Sequence, residues 1–467
     1  MDYSVNDEDF FDDKDLKKRI EQCRKAVADG LAFTCSENIE EVIRICLEYD
    51  YIEDGLFLTE AMLDISPYNG EFWQMKGSFL NSMLDFREAH RCFEKSLSLN
   101  PNDIESLINK ALAEENLGLI KQARKTLFYV LSLSSDNEEA YFGLGILYLK
   151  EEDFQTAISF FKKAIEIDAA YSEVYYELGY CYESVDDFEN ALKTYDSYLE
   201  LEPYHAGGWY NRGIIFTHMS KFEDAIDSFD LALAIRDDFS NAWFNKGIAL
   251  ANIGKLDDAL ATFKQAAELD RFDEDIYFNL GQLYEEMEDL SNAINYYTEA
   301  ISLYNEYFDA ILSRGCCFGN RGDYLPALND FIKAVALNNT SVDAWTAKAD
   351  MEYQTDNYTD AIESYKKVLT LEADNYGVWN KLAETYLEQG NWTEGMSAYN
   401  ECIKLNPKDA NSYYGKAKVN LLLSRTQEAV ECLRNAFTLD PAMKNEFAKE
   451  YPDMKSSKLI NKLLDEN

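Results

Sequence analysis

Apolar, small and charged residues recur along this chain in a unit of 34 that restarts without insertion. With Gly70 as position 1, later units begin at 104, 138, 172, 206, 240, 274, 308, 342, 376 and 410. Within each unit, positions 4, 8 and 11 recur at helical spacing, and positions 17, 20, 24 and 27 do so again after a break near position 15. The spacing predicts a helix, a tight turn and a second helix. The break often carries glycine, as at Gly118, Gly254, Gly322 and Gly390. At position 16, Asp85, Asp153, Asp187, Asp289 and Asp323 are placed to cap the second helix and to sit at its positive end. Pro67, Pro101, Pro203, Pro407 and Pro441 at position 32 follow that helix, where proline ends it.

Residue size at fixed phase sharpens the picture. Five of the six tryptophans, Trp73, Trp209, Trp243, Trp345 and Trp379, share position 4. Position 8 is Gly or Ala in all eleven units, and position 20 is Ala in ten of them, with Gly395 the exception. Small residues at both places let the two helices cross closely, while the large residue at position 4 and the aromatic at 24 fill the space beside them. A weaker copy spans 36–69, with Gly55 at position 20 and Pro67 at position 32 but Ile43 at position 8, as a first unit with nothing stacked outside it.

The ends differ from the units. Residues 16–32 place Ile20, Cys23, Val27 and Leu31 at helical spacing. Residues 443–464 begin like another first helix, with Phe447 at position 4, depart at Pro452 and resume with Leu459, Ile460, Leu463 and Leu464. The expected organisation is an acidic, disordered tail over 1–15, a capping helix within 16–35, twelve units over 36–443, and a helical cap over 444–467.

A 34-residue period with W-x-x-x-G, then Ala at 20, Phe at 24, Ala at 27 and Pro at 32 resembles the tetratricopeptide repeat family. The resemblance implies an all-α fold, a right-handed α-solenoid long enough for more than one turn of superhelix, with first helices lining a concave side and second helices a convex side. Each unit buries its apolar face only against neighbours, so stability is nearest-neighbour in character and the ends need caps.

Charge excludes some partners. Against 44 Lys and Arg stand 86 Asp and Glu, a formal net charge of −42 in 467 residues, which repels nucleic acid and anionic membrane. The start, MDYSVNDEDFFDDKD, is not a secretory signal, and no apolar run approaches membrane-spanning length, so a soluble, cytoplasmic protein is expected. The nine cysteines form no C-x-x-C and read as reduced, small apolar side chains. His90, His205 and His218 lie in different units at different positions, and phosphate-loop, dinucleotide and zinc-protease motifs are absent. No enzyme activity, metal or cofactor is expected.

Binding is the remaining chemistry. The resemblance assigns the concave side to positions 2, 5, 9, 12 and 13, and helical geometry puts 5, 9 and 12 on a face about 100° from the packing face. Position 5 carries Phe142, Tyr176, Tyr210, Phe244 and Phe278, and position 9 carries Ile146, Tyr180, Ile214 and Ile248. Aromatic residues at position 5 also suit packing against the next unit, whereas an apolar row at position 9 marks a contact surface. Asn211, Asn245 and Asn279 at position 6 can bond an extended peptide backbone. Lysine is absent at positions 2 and 5, which argues against the carboxylate clamp of some family members. Acidic residues at position 2, Glu71, Glu105, Glu139, Glu173, Asp275, Asp309 and Asp343, favour a partner protein or peptide that mixes apolar and basic residues. The expected function is a protein–protein interaction scaffold. The alternative is an accessory subunit of an enzyme or transport complex that uses its convex face or ends, possibly self-associating; oligomeric state is left open.

Overall fold

At position 15 the backbone turns through positive φ in each unit from the one at 36 to the one at 410, and most of the residues that do so are not glycine. Asp50, Leu84, Glu152, Asp186, Ser220, Glu288, Asp356 and Ser424 all hold φ between 56° and 63° there. One left-handed residue between two right-handed helices is what reverses the chain in so short a space. Leu84 is 72% exposed, so nothing in its side chain's surroundings offsets a conformation that costs an L-residue about 1–2 kcal/mol. Leu84→Gly is therefore expected to stabilise by about 0.5–1 kcal/mol after glycine's own entropy. Gly254→Ala, at φ 74° with open space around it, should cost about 1 kcal/mol. Thermal melting of the two variants checks both signs.

The computed structural model describes residues 13–452 together with Leu463. The acidic tail expected over 1–15, apart from its last three residues, and most of the cap expected beyond 452 lie outside the described residues. Among those described, all regular structure is helical. First helices of 13 residues alternate with second helices of 14, as in Gly70–Ser82 and Phe86–Leu99. Phe308–Arg321, one residue longer, is an exception.

Caps fix the helix starts. Asp85, Asp153, Asp187 and Asp289 each accept a bond from a backbone N–H in the first turn of the second helix. Asp323 departs from that expectation: its carboxylate is taken by Arg321 Nε, and it makes no side-chain cap. The first helices have caps of their own at position 34, which the sequence reading passed over. Asn137 accepts from the Ala140 N–H at 2.7 Å and Ser341 from the Ala344 N–H at 3.2 Å.

The chain divides into two compact units, Met1–Asp237 and Asp238–Asn467. In the first, helix pairs from Ser36–Glu48 to Phe222–Ile235 pack in sequence order, preceded by the helix Asp13–Ala28. That leading helix buries Leu16, Ile20 and Cys23 against Ile39, Val42, Ile43 and Leu58. Leu31, expected in the same row, is 50% exposed, because the helix ends at Ala28 and Gly30 turns at φ 73°. In the second unit, pairs from Ser240–Asn252 to Thr426–Leu439 are followed by Met443–Glu450. Met443, Phe447 and Leu463 are buried there with Leu433 and Phe437. Within each unit successive first helices approach one another more closely than successive second helices, so first helices lie on the inside of the local curve.

The core explains the small residues. A Cβ built on Gly213 would stand 2.5 Å from Phe229, and one on Gly145 would stand 2.3 Å from Phe161. Position 8 is thus a seat for the ring at position 24 of the same unit. Where position 24 is leucine, as at Leu127 and Leu433, position 8 is alanine, Ala111 and Ala417. Ala349 beside Tyr365 and Ala383 beside Tyr399 break that pairing.

Candidate functional site

The candidate residues of the first unit lie on the first helices Glu138–Lys150, Ser172–Ser184 and Ala206–His218. Position-5 rings reach down between the helices. Phe142 is 5.8 Å from Phe161 and 5.2 Å from Tyr171. Tyr176 is 5.3 Å from Tyr198 and 5.6 Å from His205, and Tyr210 is 6.0 Å from Phe229. All three are half-buried against rings of their own unit, and Phe142 and Tyr176 also reach Tyr171 and His205, the residues just before the next first helix, while part of each ring stays in contact with solvent. Position 9 is higher on the face: Ile146 and Ile214 are half-buried and Tyr180 is 48% exposed. Asn211 donates from Nδ2 to the Tyr195 hydroxyl at 3.4 Å.

Two carboxylates on the same face escaped the sequence reading. Glu177 and Glu183, at positions 6 and 12 of the helix Ser172–Ser184, are half-buried, and burial holds both carboxyls above the ordinary glutamate range. His218 counteracts that rise at Glu183, while its ring stacks on Phe188 at 5.1 Å. The available signal was Glu177 itself, which stands where Asn109, Asn211, Asn245 and Asn279 stand in other units.

In the second unit, Phe244 packs 5.8 Å from Phe263, and Phe278 packs 5.7 Å from Tyr297 and 5.0 Å from Tyr307. Ile248 and Asn279 come together at a recess of about 370 Å³ between Ser240–Asn252 and Glu274–Glu286, with Phe263 and Leu283 also lining it. Asn279 donates to the Asp275 carbonyl at 2.8 Å and Asn245 to the Asn241 carbonyl at 2.9 Å. Farther along, position 9 turns acidic: Asp350 accepts from Lys381 Nζ at 2.6 and 2.8 Å and from the Tyr365 hydroxyl at 2.6 Å. Apolar contact is offered near Ile248, whereas the surface at Asp350 already has its counter-charge.

Position-7 cations are absorbed by the scaffold, as their long stems suggest. Lys76 pairs with Glu60, Arg212 with Asp196, Arg314 with Asp330 and Lys348 with Glu352. Glu60 and Asp196 belong to the preceding unit, so these bonds stitch neighbours.

Among the described residues, no group of three or more His, Cys, Asp or Glu is arranged to hold a metal ion. The nine cysteines are free, and burial pushes Cys46, Cys181 and Cys317 up to about 12, so they are protonated thiols at neutral pH. No described helix is long and apolar enough to cross a membrane.

Family profiles described as tetratricopeptide repeat match residues 70–103, 138–171, 172–205, 238–306, 312–377, 353–419 and 410–443. No curated protein matches the chain. Among solved structures, YrrB, a TPR protein with an unusual peptide-binding site, is 22% identical over 40% of this chain and 95% of its own, with a TM-score of 0.36. Cut9–Hcn1 of the APC/C is 14% identical over 94% and 97%, with a TM-score of 0.37. Yeast Tom70 is 16% identical over 93% and 100%, also at 0.37. Likeness at those scores bears on neither the fold nor the partner of this chain.

Proposed function

Because the chain belongs to the tetratricopeptide repeat family, we propose that it is a non-enzymatic, cytoplasmic scaffold that holds a segment of another protein against the inner face of its first helices. In this reading the helices of 36–443 are twelve tandem repeats, wound right-handed within each unit, with caps at both ends and no cofactor. The observation that carries it is the row Ile146, Tyr180 and Ile214, partly exposed on three successive first helices of one unit. Apolar side chains in a row on the inside of a curve are contact surface in want of a partner. Ile248, beside its recess in the other unit, supports the same reading.

The competing reading, an accessory subunit that uses its outer face, has one observation in favour. Phe128 and Tyr129 on the second helix Ile120–Leu133 are 45% and 42% exposed. The two readings separate by charge insertion in affinity capture from the native lysate. Ile214→Glu and Ile248→Glu, made singly and together, are expected to lower partner recovery by about tenfold or more, an amount typical of a contact worth over 1.4 kcal/mol. Phe128→Glu is expected to leave recovery unchanged. The opposite result would transfer the function to the outer face. Self-association is tested by light scattering, where a mass constant at 53.7 kDa across concentration removes it.

A further inference from the structure

We propose that the inner face of the first unit selects a basic partner segment, whose lysine or arginine seats between Glu177 and Glu183 while neighbouring aliphatic side chains lie along Ile146, Tyr180 and Ile214. The inference rests on the inner-face reading above and adds the charge of the occupant. At 100° per residue, Tyr180 lies angularly midway between Glu177 and Glu183 on the helix Ser172–Ser184, so the ring is flanked by a carboxylate on each side.

Neither carboxylate is paired with a lysine or arginine where comparable ones are, and the one cation-forming group beside them is His218, near Glu183. Glu115, at position 12 two units earlier, is held by Lys150 at 2.6 Å. Glu183 occupies the same position, but His218 stands where Lys150 would, its ring lying parallel to Phe188. Asp350 in the second unit is held by Lys381 at 2.6 Å. Among the described residues, the side-chain carboxylate of neither Glu177 nor Glu183 accepts a hydrogen bond or forms an ion pair with a lysine or arginine; the Glu183 carbonyl is held within the helix end by the Asp186 N–H. Removing a carboxylate from water without pairing it is costly, and a glutamine would avoid that cost at the same size. A cation brought by the partner supplies what the chain omits, next to an apolar row that fits the stem of a lysine.

The test uses the full chain and two fluorescein-labelled peptides of about twelve residues with the same leucine and serine pattern, one carrying lysines and the other glutamines at the remaining places. Anisotropy is read at about 0.15 M salt to screen diffuse attraction to so acidic a surface. The lysine peptide is expected to bind about tenfold or more tightly than the glutamine peptide, and the double variant Glu177→Gln/Glu183→Gln to lose that advantage. The same exchange on second helices, Glu166→Gln/Glu200→Gln, should change affinity less than about twofold. Thermal melting of Glu177→Gln/Glu183→Gln should be no lower than that of the parent, showing that the loss is not unfolding. Equal losses from the two pairs, no loss from the Glu177/Glu183 pair, or no binding of the lysine peptide overturns the inference. Ile146→Ser/Ile214→Ser keeps the two ideas apart: if it abolishes binding while Glu177→Gln/Glu183→Gln does not, the inner face stands and its charge selection falls. If neither variant matters, both fall.

Discussion

Phe229→Ala is expected to destabilise the chain by about 3–5 kcal/mol, among the largest effects available to a single core substitution. The ring is fully buried, seats on Gly213 within its own unit and meets Tyr210 at 6.0 Å. Its removal leaves a void where two helices cross at their closest, and Gly213, with no side chain, cannot fill it. Because each unit is stable only through its neighbours, the loss should also weaken the pairs on either side. Denaturant unfolding checks this through an earlier transition; an unchanged midpoint would mean that the ring-on-glycine contact does not hold the unit together. The chain's own pairings offer a rescue. Leucine over alanine occurs at Leu127 with Ala111, so Phe229→Leu/Gly213→Ala should be less damaging than the sum of its two singles, a coupling read by a double-mutant cycle.

Arg314→Met is the second large effect, at about 3–5 kcal/mol of destabilisation. Asp330 is 3% exposed and accepts a two-pronged bond from Arg314, 2.8 Å from Nε and 2.7 Å from NH2. Arg314 also reaches Thr298 of the preceding unit at 3.1 Å. Deleting the guanidinium leaves a carboxylate inside the protein with no counter-charge, which costs far more than the pair contributes. Arg314→Met/Asp330→Leu removes the orphaned charge as well and is expected to recover most of the lost stability. Equilibrium unfolding of the single and double variants decides the matter: a double variant as unstable as Arg314→Met would show that packing, and not the unpaired charge, dominates.

How far the sequence foretells this structure depends on what each residue is asked to do. Positions 4, 8, 20 and 24 were legible because burial between two helices restricts size, and a restriction repeated every 34 residues is visible as Trp243, Gly247, Ala259 and Phe263. The left-handed turn was only half legible. Gly118, Gly254, Gly322 and Gly390 mark it, but Leu84 and Ser220 adopt it with no sequence sign, because the close packing of two helices imposes a conformation that the residue itself disfavours. Capping was overread at Asp323, where Arg321, two residues before it, competes for the carboxylate. It was underread at Asn137 and Ser341, which fall outside the apolar rhythm that defines the unit.

The candidate face followed the same division. Ile146, Ile214 and Ile248 stood out because isoleucine on an inner face is unusual, whereas the position-5 rings serve packing as well, as Phe142 and Tyr176 do. Glu183 was invisible among 86 acidic residues, and Glu177 was marked only by standing where other units carry asparagine. A solvated carboxylate and a half-buried one lacking a cation are the same letter, and only the placement of Lys150 and His218 tells them apart.

The central claim is that the inner face, and not the outer, carries the partner. Hydroxyl-radical footprinting of the full chain, alone and with its captured partner, addresses it residue by residue. Oxidation of Ile146, Tyr180 and Ile214 is expected to fall on binding while that of Phe128 and Tyr129 stays as it was. Protection of Phe128 and Tyr129 with Tyr180 still fully reactive would contradict the account.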